Sequence, residues 1–201
     1  MIKLTISVVA LTIASFSVAK PRILAVGDSL TEGYGLPKEE SHPALLEKEL
    51  KSQGYKGAVV VNAGTSGATT AFGIRTLKFH LKRQRPDLVI YALGGNDGLR
   101  GINPKQTKAN IEEAINLIKK YQVKVVLAGM KAPPNYGRKF PKEFEAIFPD
   151  LSKKLDVPLI PFLLEGVAGT PSLNLPDGIH PNAKGYKVIL KNVYPHVKNQ
   201  L

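Results

Sequence analysis

Short apolar runs alternate along this chain with longer segments in which apolar residues recur every three to four positions. Five runs predict β-strands, over residues 22–27, 58–62, 87–93, 123–128 and 157–162. Five segments with helical spacing predict α-helices, over residues 44–50, 71–85, 105–121, 141–155 and 182–197. Gly54 and Pro86 stand where two of these helices should end.

This alternation of strand and helix predicts an α/β fold. Continuously apolar strands indicate a parallel sheet covered on both faces, which gives a three-layer α/β/α sandwich with right-handed crossovers. Open sheets of this kind bind ligands beyond the carboxyl ends of their strands. We therefore expect chemically important side chains directly after the predicted strands.

The N-terminus has the pattern of a secretory signal peptide. Residues 1–19 carry one early cation, Lys3, followed by a short apolar run and the small residues Ser17-Val18-Ala19. We expect cleavage before Lys20, a single domain over residues 20–201, and a periplasmic or secreted protein. The alternatives are an uncleaved anchor or a buried first helix.

Composition and charge narrow the range of partners. The chain has no cysteine, which excludes disulfides and lipoprotein attachment. Its formal net charge is +12, or +11 once Lys3 is removed with the signal peptide. Such a charge favours approach to anionic surfaces such as phospholipid headgroups. Because the cations are scattered and no nucleic-acid motif accompanies them, we expect no nucleic-acid partner. We also expect at most peripheral contact with an anionic membrane surface, and a monomer.

Four polar segments follow strands or precede the last helix, where the topology predicts a binding edge. Each could be a simple turn, because glycine permits positive φ and Ser, Asp and Asn cap helices. Their shared position at strand ends favours a functional interpretation. The segments are Gly27-Asp-Ser-Leu-Thr31, Asn62-Ala-Gly-Thr-Ser-Gly67, Gly94-Gly-Asn-Asp97 and Asp177-Gly-Ile-His-Pro-Asn182.

These segments contain the parts of a serine hydrolase. A serine hydroxyl becomes a good nucleophile only when a base takes its proton, and a carboxylate must orient a histidine base. Ser29 is the candidate nucleophile, with Asp177 and His180 three residues apart in one loop. The backbone amides of Ser29 and Gly67 and the side-chain amide of Asn96 are candidate oxyanion donors.

Other histidines and serines compete for these roles. His42 precedes Pro43 at a predicted helix start, where we expect it at the surface. His80 and His196 lie on predicted helices among cations and need no special role. Ser66 lies between Thr65 and Gly67, where helix capping is its expected role.

Two further observations bear on the class of enzyme. The G-x-S-x-G motif is absent around both Ser29 and Ser66, which argues against the ordinary α/β-hydrolase fold. Asp28 could instead be a metal ligand or a phosphate-accepting nucleophile, with Asp97 as a second carboxylate. This alternative stays open at the level of sequence.

Taken together, the four segments resemble those of the GDSL lipases and esterases, also called SGNH hydrolases. The resemblance implies that Ser29 is the nucleophile, that Gly67 and Asn96 are oxyanion donors beside the Ser29 amide, and that Asp177 and His180 complete the triad. It further implies a flavodoxin-like fold with a five-stranded parallel sheet, and no metal or organic cofactor.

The similarity is greatest to a branch of bacterial periplasmic thioesterases, lysophospholipases and arylesterases. It extends through Gly94-Gly-Asn-Asp-Gly-Leu-Arg-Gly101, Asn135-Tyr-Gly-Arg138 and Asp177-Gly-Ile-His-Pro-Asn182. One departure is Ala68, where that branch has an aspartate. We expect this difference to leave the triad intact but to alter the hydrogen bonding of the loop that carries Gly67, and with it substrate preference.

The loops at the binding edge predict an apolar substrate groove. The candidate lining residues are Leu99, Ile102, Pro133, Pro134 and Tyr136. An apolar groove favours acyl esters and thioesters, including lysophospholipids. The alternatives are a carbohydrate O-deacetylase, which would need a polar pocket, and a non-catalytic periplasmic binding protein on the same fold.

Overall fold

The computed structural model describes residues 20–201, and the predicted signal peptide, residues 1–19, lies outside them. Within the described chain, five parallel strands form one sheet in the order β2-β1-β3-β4-β5. The strands are β1 (Arg22–Gly27), β2 (Val59–Gly64), β3 (Leu88–Ala92), β4 (Lys124–Ala128) and β5 (Leu159–Ile160).

Helices connect the strands and cover the sheet. The helices are α1 (Ser29–Glu32), α2 (His42–Ser52), α3 (Thr70–Gln84), α4 (Gly95–Leu99), α5 (Pro104–Lys120), α6 (Lys139–Leu155) and α7 (Ala183–Lys198). In one layer, α3 packs on α5 and α5 on α6; in the other, α2 packs on α7. The predicted α/β/α sandwich with five parallel strands is confirmed, and its strand order is the flavodoxin-like one.

The core lies on both faces of the two central strands. All five residues of β3 are buried, and so are the last five of β1, because helices cover them from each side. Tyr91 of β3 and Phe144 of α6 are among the largest side chains that are completely buried. This packing fixes the carboxyl ends of β1 and β3, from which the first and third polar segments start.

The structure differs from the sequence-based expectation mainly in short elements. The fifth strand has two residues rather than six, because Pro158 and Pro161 flank it and proline cannot donate to a sheet ladder. The four-residue α1 and five-residue α4 were not predicted, since single helical turns carry no periodicity. In residues 20–201, no helix combines the length and apolarity needed to cross a membrane.

The expected surface position of His42 is wrong. His42 is 1% exposed and begins α2, whose first turn packs inward so that its Nε2 lies 3.3 Å from the Thr31 hydroxyl. A proline in the first turn marks a helix start but does not indicate which side faces the core. Burial lowers the pKa of His42 to about 4.

Candidate active site

Ser29 lies at the point where the first strand turns into the first helix. β1 ends at Gly27, Asp28 caps the N-terminus of α1, and Ser29 is the first helical residue. The Asp28 carboxylate accepts a hydrogen bond from the backbone N–H of Leu30 at 3.0 Å, which fixes this turn. The half-buried Ser29 side chain is thereby held at the carboxyl edge of the sheet, on the wall of a cavity at that edge.

The loop before α7 brings Asp177 and His180 to the same edge. His180 Nε2 lies 3.0 Å from Ser29 Oγ, although the two residues are 151 positions apart in the sequence. On the other side of the imidazole ring, Nδ1 lies 2.7 Å from Asp177 Oδ2. Hydroxyl, imidazole and carboxylate therefore form one continuous hydrogen-bonded series.

The conformation of this loop stabilises the carboxylate of Asp177. Its Oδ1 accepts hydrogen bonds from the backbone N–H groups of His180 and Ile179, both at 3.0 Å. These bonds and the contact with the His180 ring lower the pKa of Asp177 to about 2. Asp177 is therefore ionised throughout the neutral range and can hold the imidazole in a single orientation.

The three predicted oxyanion donors meet on the wall of the same cavity. Ser29, Gly67 and Asn96 all line it. The Asn96 side chain is held from two directions, because its Nδ2 donates to the Ala68 carbonyl at 3.0 Å and to Asp28 Oδ2 at 3.3 Å. The Ala68 side chain is buried, and its backbone oxygen provides one of these two contacts.

Asp28, which accepts the second of these Asn96 hydrogen bonds, is 1% exposed. Burial raises the pKa of its carboxyl to about 6, against the lowering effect of hydrogen bonds that include those from Leu30 and Asn96. Sequence reasoning identified Asp28 as a possible metal ligand or nucleophile, but did not foresee that it would support Asn96 from within the fold.

Asp97, the second carboxylate of the proposed metal or phosphate-accepting site, is hydrogen-bonded to other residues. Asp97 is completely buried and accepts hydrogen bonds from the Thr70 amide at 2.9 Å and from the Thr107 hydroxyl at 3.3 Å. It thus ties α4 to α3 and α5. Residues 20–201 contain no group of three or more His, Cys, Asp or Glu side chains that could hold a metal ion. The structure gives no support to an acidic metal or phosphoryl-transfer site built on Asp28 and Asp97.

The cavity beside Ser29 measures about 770 Å³. Of the predicted lining residues, Leu99, Pro133 and Pro134 contribute to its wall. Ile102 and Tyr136 do not, and that part of the prediction is wrong. The Tyr136 hydroxyl donates to the Leu99 carbonyl at 2.7 Å, which places this tyrosine behind Leu99, and the Ile102 amide turns back to the Asp97 carbonyl at 2.9 Å.

Several further residues of the cavity were missed by sequence reasoning. The Tyr34 ring lies against the His180 ring, with centroids 4.4 Å apart, and also lines the cavity. The remaining apolar wall comes largely from Met130, Ala132, Phe162, Leu164 and Ile179. A signal for most of them was present, because they follow the fourth and fifth strands at the edge where a ligand should bind.

The expected capping role of Ser66 is also wrong. Thr69 is the N-cap residue of α3, whereas the Ser66 hydroxyl donates to the carboxylate of Glu32. The Ser66 backbone N–H donates to the same carboxylate at 2.8 Å. Ser66 is thus occupied by a contact between its loop and the end of α1.

A serine, a histidine and an aspartate in series, on a cavity that Gly67 and Asn96 also line at the edge of a parallel sheet, form the arrangement of a serine hydrolase. Comparison with known proteins agrees with this class. Residues 25–188 match the model of the GDSL-like Lipase/Acylhydrolase family, and the chain belongs to that family.

Relatives with similarity over most of the chain include proteins named as hydrolases. The chain is 40% identical over 181 residues to an arylesterase of Vibrio mimicus, covering 90% of each protein. It is 40% identical over 164 residues to thioesterase 1/protease 1/lysophospholipase L1 of Escherichia coli K12, covering 82% of this chain and 77% of that one. A crystal structure of TesA superposes with a TM-score of 0.86 at 38% identity, covering 90% of this chain and 99% of the other.

Proposed function

We propose that this protein hydrolyses acyl esters and thioesters through a covalent acyl-enzyme on Ser29. His180 Nε2 takes the proton of Ser29 Oγ as that oxygen attacks the acyl carbonyl carbon. The ester or thioester bond then breaks, and His180 returns the proton to the leaving alcohol or thiol. A water molecule, deprotonated by His180, attacks the acyl-enzyme in turn and releases the acid and free Ser29.

The oxyanion of each tetrahedral intermediate needs donors already in place. The backbone amides of Ser29 and Gly67 and the side-chain amide of Asn96 are proposed for this role, with Asn96 redirecting to the oxyanion the N–H of its longer contact, the 3.3 Å one to Asp28. Asp177 stabilises the imidazolium that forms while His180 carries the proton. The observation that carries the proposal is the unbroken series Ser29–His180–Asp177, with distances of 3.0 and 2.7 Å, next to those donors.

The shape and chemistry of the cavity support an acyl chain as the substrate group. Beyond Ser29 the wall is built from apolar side chains that include Met130, Phe162 and Leu164. A volume of about 770 Å³ is in the range of sites that hold a whole small ligand rather than an acetyl group. The names of the arylesterase and thioesterase relatives support ester and thioester substrates, and the lysophospholipase name supports lysophospholipids.

A series of p-nitrophenyl esters of increasing acyl length tests this proposal. Each methylene buried in an apolar groove contributes about 0.8 kcal/mol, or roughly a fourfold gain in binding per carbon. We expect kcat/KM to rise from acetate to a medium-chain optimum, and Ser29→Ala to remove hydrolysis throughout the series. Rates of hydrolysis of acyl-coenzyme A and of lysophosphatidylcholine then compare a thioester with an ester substrate.

The same panel contains the results that would contradict the proposal. A maximum at acetate, together with hydrolysis of acetylated sugars, would favour a carbohydrate O-deacetylase. Absence of hydrolysis by the parent protein across all substrates would favour a binding protein. An acid-stable mass adduct on Ser29 after mixing with a slow substrate would add direct support for the acyl-enzyme.

We further propose that the protein is exported and begins at Lys20 in its mature form. The support is the sequence of residues 1–19, with its early Lys3, apolar run and Ser17-Val18-Ala19 end. Mass spectrometry of the native protein should find an N-terminus at or near Lys20 in the periplasm or the medium. Protein from that fraction that still carried residues 1–19 would contradict cleavage of a signal peptide before Lys20.

We also propose that the protein is a monomer. Its contact with substrate-bearing membranes is proposed to be peripheral. Tyr34, Leu99 and Ile179 line the cavity and have exposed side chains, and the net charge of the chain is strongly positive. Co-sedimentation with phosphatidylglycerol vesicles should be detectable at low salt and weaken at high salt, while phosphatidylcholine vesicles bind less. Light scattering after gel filtration should give the mass of one chain.

A further inference from the structure

The oxyanion loop, defined as residues 65–68 between β2 and α3, is held by side chains that the proposed mechanism does not use. The Gly67 N–H belongs to the peptide unit that joins Ser66 to Gly67. Because a peptide unit is planar, its direction is set by the torsions on either side of it. Gly67 has φ +77°, a region that glycine enters at little cost. The loop sequence alone therefore does not hold this N–H toward the cavity.

Glu32 anchors the peptide unit from its N-terminal side. The Glu32 carboxylate accepts a hydrogen bond from the Ser66 N–H at 2.8 Å and another from the Ser66 hydroxyl. Glu32 is the last residue of α1, the helix that begins at Ser29. Where β2 ends, a Cβ added to Gly64 would lie 2.2 Å from the Glu32 backbone nitrogen, so strand and helix are in close contact there.

Arg100 anchors the peptide unit from its C-terminal side. Its Nη2 donates to the Gly67 carbonyl at 3.1 Å. Arg100 directly follows α4, the helix that carries Asn96. The two anchors therefore enclose the Gly67 N–H, and each extends from the element that holds one of the other two proposed donors.

We propose that Glu32 and Arg100 are positioning residues that hold the Gly67 N–H in register with the Ser29 amide and the Asn96 side chain. This inference rests on the proposed function and adds to it the means by which the three donors are kept in one arrangement. Neither anchor needs to touch the reacting atoms, and Glu32 does not line the cavity. Loss of an anchor should therefore lower the rate of the chemical step and leave substrate binding unchanged.

The test compares Glu32→Ala, Glu32→Gln and Glu39→Ala with the parent protein on one medium-chain p-nitrophenyl ester. Loss of a whole oxyanion donor lowers kcat by 10²–10³, so loosening one donor should cost less, about tenfold. We expect kcat of Glu32→Ala to fall about tenfold with KM unchanged. Glu32→Gln keeps an acceptor for the Ser66 N–H and should recover most of the loss. Glu39, an exposed acidic residue in the following turn, is the matched control and should behave like the parent.

Urea unfolding of each variant separates this effect from loss of folding. If Glu32→Ala does not fold, Ser66→Ala, which removes one of the two contacts, should show a smaller fall in kcat at unchanged KM. Activity of Glu32→Ala within twofold of the parent would overturn the proposal, as would a loss confined to KM. Equal losses in Glu32→Ala and Glu32→Gln would also overturn it. An inactive parent protein would instead overturn the proposed function.

Discussion

The buried carboxylate of Asp28 lies 3.3 Å from the side-chain amide nitrogen of Asn96, so a group inside the fold holds a side chain that faces the cavity. Asp28 precedes the proposed nucleophile directly, and Asn96 follows the end of β3. One contact thus connects the first and third polar segments of the sequence. It also links the electrostatics of the interior to the proposed oxyanion site.

Replacement of Asn96 by alanine should reduce catalysis far more than it reduces stability. If the amide donates to the oxyanion, kcat should fall roughly a hundredfold or more, the scale for loss of one such donor. The same change removes a hydrogen bond that lowers the pKa of Asp28, so that pKa should rise further above its ordinary value. Steady-state kinetics and a carbon-13 titration of the carboxyl check the two effects. Asn199→Ala, at the exposed end of α7, is the control, and a fully active Asn96→Ala would remove Asn96 from the mechanism.

Replacement of Asp177 by asparagine should leave the fold intact and nearly abolish activity. The asparagine oxygen can still accept the backbone N–H bonds of Ile179 and His180, but its amide group would then face Nδ1 of the imidazole. That pairing stabilises the wrong tautomer of His180, and kcat should fall by about a thousandfold or more. Rate measurements with Asp150→Asn, an exposed aspartate on α6, give the comparison. Near-parental activity would mean that Asp177 does not orient the base.

The stability of the protein should have two opposed pH dependences. His42 has a folded-state pKa of about 4, below its ordinary 6.5, so the unfolded chain binds more protons and stability rises as pH rises from 4 to 6.5. Asp28 has a folded-state pKa of about 6, above its ordinary 3.8, so its contribution falls as pH rises from 3.8 to 6. Each of the two contributions amounts to about 3 kcal/mol, and they have opposite signs.

Single substitutions should reveal each of these two pH dependences of stability separately. Relative to the parent protein, the free energy of unfolding of His42→Gln should decline as pH rises from 4 to 6, because the variant lacks the contribution of His42, which grows over that range. For Asp28→Asn it should instead increase with pH. Urea unfolding at several pH values measures both slopes, with His196→Gln as the control. Parallel curves for the two variants would contradict the assignment of opposite shifts to these buried groups.

Much of the fold and of the site could be predicted because the relevant signals are local. A continuously apolar run such as 22–27 predicts a buried parallel strand, and a parallel sheet collects the carboxyl ends of its strands at one edge. The positions of Ser29 and Asn96 at that edge follow from those two facts, whereas His180 was assigned from its pairing with Asp177 in the loop before the last helix. The same reasoning indicated that an apolar cavity would be built from loops such as Pro133–Pro134.

The parts that could not be predicted depend on contacts between distant segments. Tyr136 lies, like Leu99, in a loop at the binding edge, yet its hydroxyl donates to the Leu99 carbonyl and its ring does not line the cavity. Ser66 resembles a helix cap but is bound by Glu32, 34 residues earlier in the chain. No spacing in the sequence encodes which polar partner such a residue will find.

Covalent labelling of Ser29 tests the central claim most directly. A fluorophosphonate reacts only with a serine activated as a nucleophile, and mass spectrometry of the digested protein locates the adduct. We predict one adduct per chain, on Ser29, with loss of ester hydrolysis in proportion to labelling. Ser66→Ala should still carry one adduct per chain on Ser29, whereas Ser29→Ala should be neither labelled nor active. An adduct on Ser66, or hydrolysis by Ser29→Ala at the parental rate, would contradict the account.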